Sequence, residues 1–141
     1  MPTSGTQSTG DAGESIHREY VMDVRIVAAD DGPGERRYRF EAPHHRGETF
    51  DDPETAELYA DVYFDVNGFQ EEGTGDRGVP PVMYQAGRDT IAAYLYTREG
   101  VDVEWLGSFF AHRPEKVERM IDNVRKRAES IRRGAAERGS A

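Results

Sequence analysis

Three residues spaced three and four apart, Lys116, Arg119 and Asn123, carry side chains that can read a surface of fixed donor and acceptor pattern. An arginine can meet guanine O6 and N7 with two parallel hydrogen bonds, and an asparagine can do the same with adenine N6 and N7. Arg113, Arg125, Lys126 and Arg127 surround them and could each neutralise a phosphate, which sets register without carrying sequence information. Glu115, Glu118 and Asp122 are interspersed among these cations. Carboxylates facing phosphates are repelled unless a counter-ion intervenes, so a solvated mixed-charge face is the competing reading. Cations late in a helix also complement its macrodipole.

Other chemistries find less to work with. The chain has no cysteine, which removes disulfides, thiolate metal sites and thiol nucleophiles. Its histidines are His17, His44, His45 and His112, without HxxxH spacing, so no metal centre is expected. Ser108 falls mid-helix without a nucleophile elbow, and the pairs Asp51-Asp52 and Glu71-Glu72 read as capping and acidic surface. Neither glycine-rich stretch has phosphate-loop or dinucleotide spacing. No catalytic residue and no cofactor is expected, and the chain is not read as an enzyme.

The cations must be held by the segment Val101 to Ala128. Leu106 supplies an apolar core position, Gly107 a place where two crossing helices could approach closely, and Phe110 the end of a first helix. Ala111-His112-Arg113 makes a turn. Pro114 then suits the first position of a second helix, where its missing N–H costs nothing. Val117 and Ile121, with Met120 beside them, pack that helix back on the first. This pattern resembles the helix-turn-helix of the sigma-factor region 4 and response-regulator type. The resemblance covers residues 101–128, with Asp89 to Gly100 as the supporting helix. It departs from the family at the turn, where Ala111 replaces the usual glycine, and at the N-cap, where Arg113 replaces Ser, Thr or Asp. It implies DNA as partner, with the helix from Pro114 in the major groove.

Ahead of this unit, Tyr20, Met22, Val24, Ile26 and Ala28 alternate with polar residues and predict a half-buried strand. Asp30-Asp31-Gly32-Pro33-Gly34 is turn chemistry, and Tyr38, Phe40 and Ala42 predict the return strand of a hairpin. Glu48-Thr49-Phe50 could add a third. Asp51 or Asp52 caps a helix with Pro53 at its first position, and its stripe Ala56, Tyr59, Val62, Tyr63, Val66 ends near Asn67-Gly68. The expected architecture is α+β: a small antiparallel sheet of two or three strands with one helix, followed by a tri-helical helix-turn-helix unit. The expected boundaries are a disordered tail over 1–18, the sheet and helix over 19–69, a linker over 70–86, the helix-turn-helix unit over 87–133 and a second tail over 134–141. Strand-borne Arg36, Arg37 and Arg39 give the first unit a loose topological resemblance to the N-terminal DNA-binding modules of phage-type integrases.

Charge is unevenly placed. Residues 1–112 hold 9 basic and 22 acidic side chains, net −13, whereas residues 113–141 hold 9 and 5, net +4, within an overall −9. With 16 arginines against only Lys116 and Lys126, the composition resembles that of proteins from extreme halophiles. In molar salt the Debye length falls to about 3 Å, so the acidic excess argues less against a polyanionic partner there. No membrane span or secretory leader is read in the sequence, and the expected compartment is the cytoplasm. Together these residues predict a DNA-binding transcriptional regulator. The alternative is a protein-interaction adaptor or dimerisation module without nucleic-acid binding. The stripe Val117, Ile121, Val124, Ala128 and Ile131 predicts either a homodimer seam on the C-terminal helix or a helix folded back on its own chain.

Overall fold

The computed structural model describes residues 13–32, 35–69 and 80–140. The turn at Pro33-Gly34, most of the tail expected over 1–18 and much of the linker expected over 70–86 lie outside them. The chain divides into two compact units, Met1–Glu57 and Leu58–Ala141.

The first unit is an antiparallel meander of four strands, β1 (Glu14–Glu19), β2 (Arg25–Gly32), β3 (Glu35–Glu41) and β4 (Glu48–Phe50), in that spatial order. The class is α+β, with one strand more than the two or three expected. β1 occupies the end of the segment read as a disordered tail. Its residues are almost all polar, so composition conceals it. It forms because Ile16 pairs with Val27 across the ladder and His17 reaches Glu57, with Nε2 2.8 Å from the carboxylate. The strand expected from Tyr20 begins only at Arg25. Met22 and Asp23 both adopt left-handed backbone, φ 63° and 61°, and the Tyr20 N–H donates to the Val24 carbonyl at 2.8 Å. A tight turn therefore interrupts the alternation that reads as a single strand.

Ile26 faces Phe40, and Ala28 faces Tyr38, across β2 and β3, which puts buried Ile26, Ala28 and Phe40 on one side of the sheet. The other side holds buried Val27 and a group of ion pairs. Glu41 accepts from Arg25 Nε at 2.8 Å and from Arg39 Nε at 2.7 Å, and Arg39 also lies 3.4 Å from Glu14. Arg37 lies 3.3 Å from Asp51, and on the side of Ile26, Arg36 lies 3.8 Å from Asp30. The strand arginines thus meet carboxylates of their own unit, which weakens the integrase-like reading of this sheet.

Burial tends to raise the Glu41 carboxyl, but hydrogen bonds from Arg39 and Arg25 outweigh it and hold the group below the usual carboxylate range. A carboxylate depressed in the folded state stabilises above its unfolded pKa, about 4.3 for glutamate, and that contribution disappears as pH falls through the folded value. Glu41→Gln should therefore be less stable than the parent at neutral pH. The gap should close on acidification below the carboxylate range, as read from urea unfolding midpoints across a pH series.

Five helices follow among the described residues: α1 (Pro53–Asp65), α2 (Pro81–Ala86), α3 (Arg88–Tyr96), α4 (Val103–Phe110) and α5 (Pro114–Ser140). α1 starts as expected, with the Asp52 carboxylate accepting from the Thr55 N–H at 2.8 Å. It closes through left-handed Asn67, with the Gly68 N–H donating to the Tyr63 carbonyl at 2.7 Å. α2 lies in the segment read as linker. It is short, begins with Pro81 and buries Met83. Asp89 does not cap α3, because Gly87 holds that position without a side-chain hydrogen bond. α3 also stops short of Gly100, with Thr97 at its C-cap. The tail expected over 134–141 is helical through Ser140, with Ala135, Ala136, Glu137 and Arg138 continuing α5 between the weak helix formers Gly134 and Gly139.

α3, α4 and α5 pack on one another, and α2 packs on α3 in addition to the tri-helical plan expected. The stripe of α5 is spent inside the unit: Val117, Met120, Ile121, Val124 and Ala128 are all buried. Tyr59, Phe69 and Tyr94 form an aromatic cluster in the same unit, with ring centroids 5.4 to 6.5 Å apart.

Candidate nucleic-acid interface

The segment that carries the cations is defined by its caps. Asp102 accepts from the Trp105 N–H at 2.8 Å and starts α4. Ala111 ends it in left-handed backbone, φ 61° and ψ 44°. The His112 N–H donates to the Gly107 carbonyl at 2.8 Å and the Ala111 N–H to the Ser108 carbonyl at 3.4 Å. This pair of bonds is the Schellman closure, which satisfies carbonyls otherwise orphaned at a helix end. Gly107 has a different reason from the one the sequence suggests. A Cβ there would stand 2.7 Å from the His112 carbonyl oxygen, so the close neighbour is the backbone of the turn and not a crossing helix. α5 then begins at Pro114, and its first bonds run from the Lys116 and Val117 N–H groups to the Arg113 carbonyl.

Glu115, Lys116, Glu118, Arg119, Asp122 and Asn123 are all exposed, as is Arg113 at the turn. At 3.6 residues per turn Lys116, Arg119, Asn123 and Lys126 follow one line along the helix, and Glu118 and Asp122 follow the adjoining line. The two signs are therefore partly separated along the helix, the exceptions being Glu115, one turn before Arg119, and Arg125, beside Asp122. Asp122 is in addition partly neutralised by Arg125, 2.9 Å away. Arg113, Lys116, Arg119 and Lys126 make no ion pair among the described residues.

Two of the expected contact residues have internal roles. Arg127 donates from Nε to Asp65 Oδ1 at 2.9 Å and from a terminal nitrogen to Oδ2 at 3.1 Å, and approaches Asp89 at 3.6 Å. Thr90 Oγ1 donates to the same Asp65 carboxylate at 2.6 Å. Its hydrogen bonds to the Asp65 carboxylate hold the Arg127 guanidinium above its ordinary value. Asn123 donates from Nδ2 to Asp89 Oδ2 at 3.1 Å. That leaves a second amide N–H and the carbonyl oxygen, a donor and an acceptor of the kind a bidentate adenine contact uses. Farther along, Arg132 pairs with buried Asp61 at 2.7 Å and lies 5.2 Å from the Phe64 ring. α5 is thus pinned to α1 and α3 by polar bonds as well as by its apolar stripe.

Asp65 and Thr90 were not singled out by sequence reasoning, and Asp89 was read only as the cap and start of a helix. One signal was available: Asp65 is the last residue of α1, where a carboxylate opposes the helix dipole and calls for a cation.

Among the described residues no group of His, Asp and Glu is placed to hold a metal ion, and no helix is long and apolar enough to cross a membrane. Comparison with protein-family models, with curated proteins and with solved structures finds no match to this chain.

Proposed function

We propose that the chain is a DNA-binding transcriptional regulator that works in the cytoplasm and inserts the first turns of α5 into the major groove. The observation that supports this reading best is the exposure of Lys116 and Arg119, without ion-pair partners among the described residues, on a helix clamped to α4 by the Gly107–His112 turn. Arg119 and Asn123 would read base edges, and Arg113 and Lys126 would meet phosphates. Asp89 orients the Asn123 amide, and Arg127 serves to position the helix.

Fluorescence anisotropy against genomic fragments over a KCl series tests the proposal. Arg119→Ala is expected to lower affinity for the preferred fragment by about 5- to 150-fold, equivalent to about 1–3 kcal/mol, and to relax sequence preference. Lys126→Ala should weaken all fragments alike and reduce the salt slope by about one. Absence of affinity at every salt concentration would overturn the reading. An interaction module without nucleic-acid binding is favoured by a separate observation, the exposed and stacked rings of Trp105 and Phe109 on α4.

A further inference from the structure

Trp105 and Phe109 lie one turn apart on α4, 44% and 37% exposed, with ring centroids 5.3 Å apart and planes at 12°. Phe110 meets Phe109 edge-on at 4.9 Å, and the His112 ring runs parallel to Phe110. Leu106 and Gly107 take the buried side of the helix, so its outward line is aromatic. Two large, partly exposed aromatic side chains side by side on one short helix form an apolar patch of the kind that marks a contact site.

We propose that α4 is a contact surface for a second copy of this chain, with the two α4 helices antiparallel about a two-fold axis near Ser108. The surface is complementary to itself under that operation. Trp105 of each copy faces Phe109 of the other, as an isologous contact requires. Ser108 is small and exposed between them, so the helices can approach closely. Asp102 and Glu104 occupy one end of α4 and Arg113 follows the other, so antiparallel pairing brings carboxylates towards a guanidinium twice over. The carboxylates beside Trp105 disfavour a phosphate backbone on this face. The stripe of α5 offers no comparable seam, since it is buried within its own chain apart from Ile131.

Two aromatic side chains bury about 150–250 Å² each at most, below the roughly 800 Å² per partner of a stable interface, and each copy carries −9. Association is therefore weak in dilute buffer and strengthens as salt screens the mutual repulsion. It is measured without DNA, and so stands or falls separately from the DNA-binding reading.

Sedimentation equilibrium of the full chain from roughly 10 to 500 µM, in roughly 0.1 M and 2 M KCl, reads the dimer fraction directly. Trp105 is the only tryptophan, so its emission should shift to the blue as the dimer forms. The expected result is a dimer fraction that rises with salt. Ser108→Arg, at an exposed position that keeps the tryptophan and the fold, should raise the dissociation constant at least about ten-fold. Glu104→Arg should weaken association, and adding Arg113→Glu in the same chain should restore it. A monomer at every concentration and salt, a dimer indifferent to Ser108→Arg, or Trp105 emission that moves only when duplex DNA is added would each overturn the proposal.

Discussion

Gly107→Ala is expected to destabilise the C-terminal unit by about 1–3 kcal/mol, the range for forcing an atom into a closed space. The added methyl would stand 2.7 Å from the His112 carbonyl oxygen, and backbone cannot yield as the end of a flexible side chain can. The His112 carbonyl belongs to the turn whose N–H already bonds back to Gly107, so relief requires opening the Schellman closure. Urea unfolding followed by circular dichroism gives the magnitude. Ser108→Ala, one residue along at an exposed site, should stay within about 0.5 kcal/mol and serves as the control. If α5 reads DNA, Gly107→Ala should also lose affinity at temperatures where it remains folded, because the angle between α4 and α5 is no longer fixed.

Arg127→Ala should cost about 2 kcal/mol. The Asp65 carboxylate is only 5% exposed and sits at the C-terminal end of α1, where the helix dipole already opposes negative charge. Removing its bidentate partner leaves the charge held by the Thr90 hydroxyl, a neutral donor that cannot balance it. Breaking a fully buried pair costs about 3–5 kcal/mol, but the Arg127 side chain is 43% exposed, so solvent screening reduces the figure. Adding Asp65→Asn to Arg127→Ala should recover more than half of the loss, because the charge that lacked a partner is gone. The same variant separates two roles for Arg127. A phosphate contact would shallow the salt dependence of DNA binding by about one, whereas a positioning role leaves the slope unchanged and lowers affinity alone.

What could be read from the sequence follows how local the determining physics is. The starts of α1 and α5 were legible because Asp52-Pro53 and Pro114 act within one helical turn of themselves. The Tyr38-Phe40 strand was legible because one face is buried and alternation survives. β1 was not, since Glu14 to Glu19 owes its order to cross-strand partners and to Glu57, and its own composition suggests none. Met22 and Asp23 hid a turn inside an alternating pattern because the spacing of apolar residues records nothing about the sign of φ. The Asp65–Arg127 pair joins residues 62 apart. Only the fold brings them together, and it gives Arg127 a carboxylate partner that the sequence does not reveal. Lys116 and Arg119 were legible as exposed cations, and their segregation from Glu118 and Asp122 follows from helical spacing alone.

That partial separation of charge on α5 bears on kinetics as well as affinity. A helix whose cations lie mostly to one side of its carboxylates has an electric dipole across its axis, and a polyanion nearby exerts a torque on it. On a chain of net −9 the long-range force is repulsive in dilute buffer, while the torque favours the single rotational setting that presents Lys116 and Arg119. Salt removes the first effect before the second, because the repulsion acts over tens of ångströms and the alignment acts near contact. Encounters with a duplex would then become more productive as salt first rises, opposite to the behaviour of a uniformly basic protein.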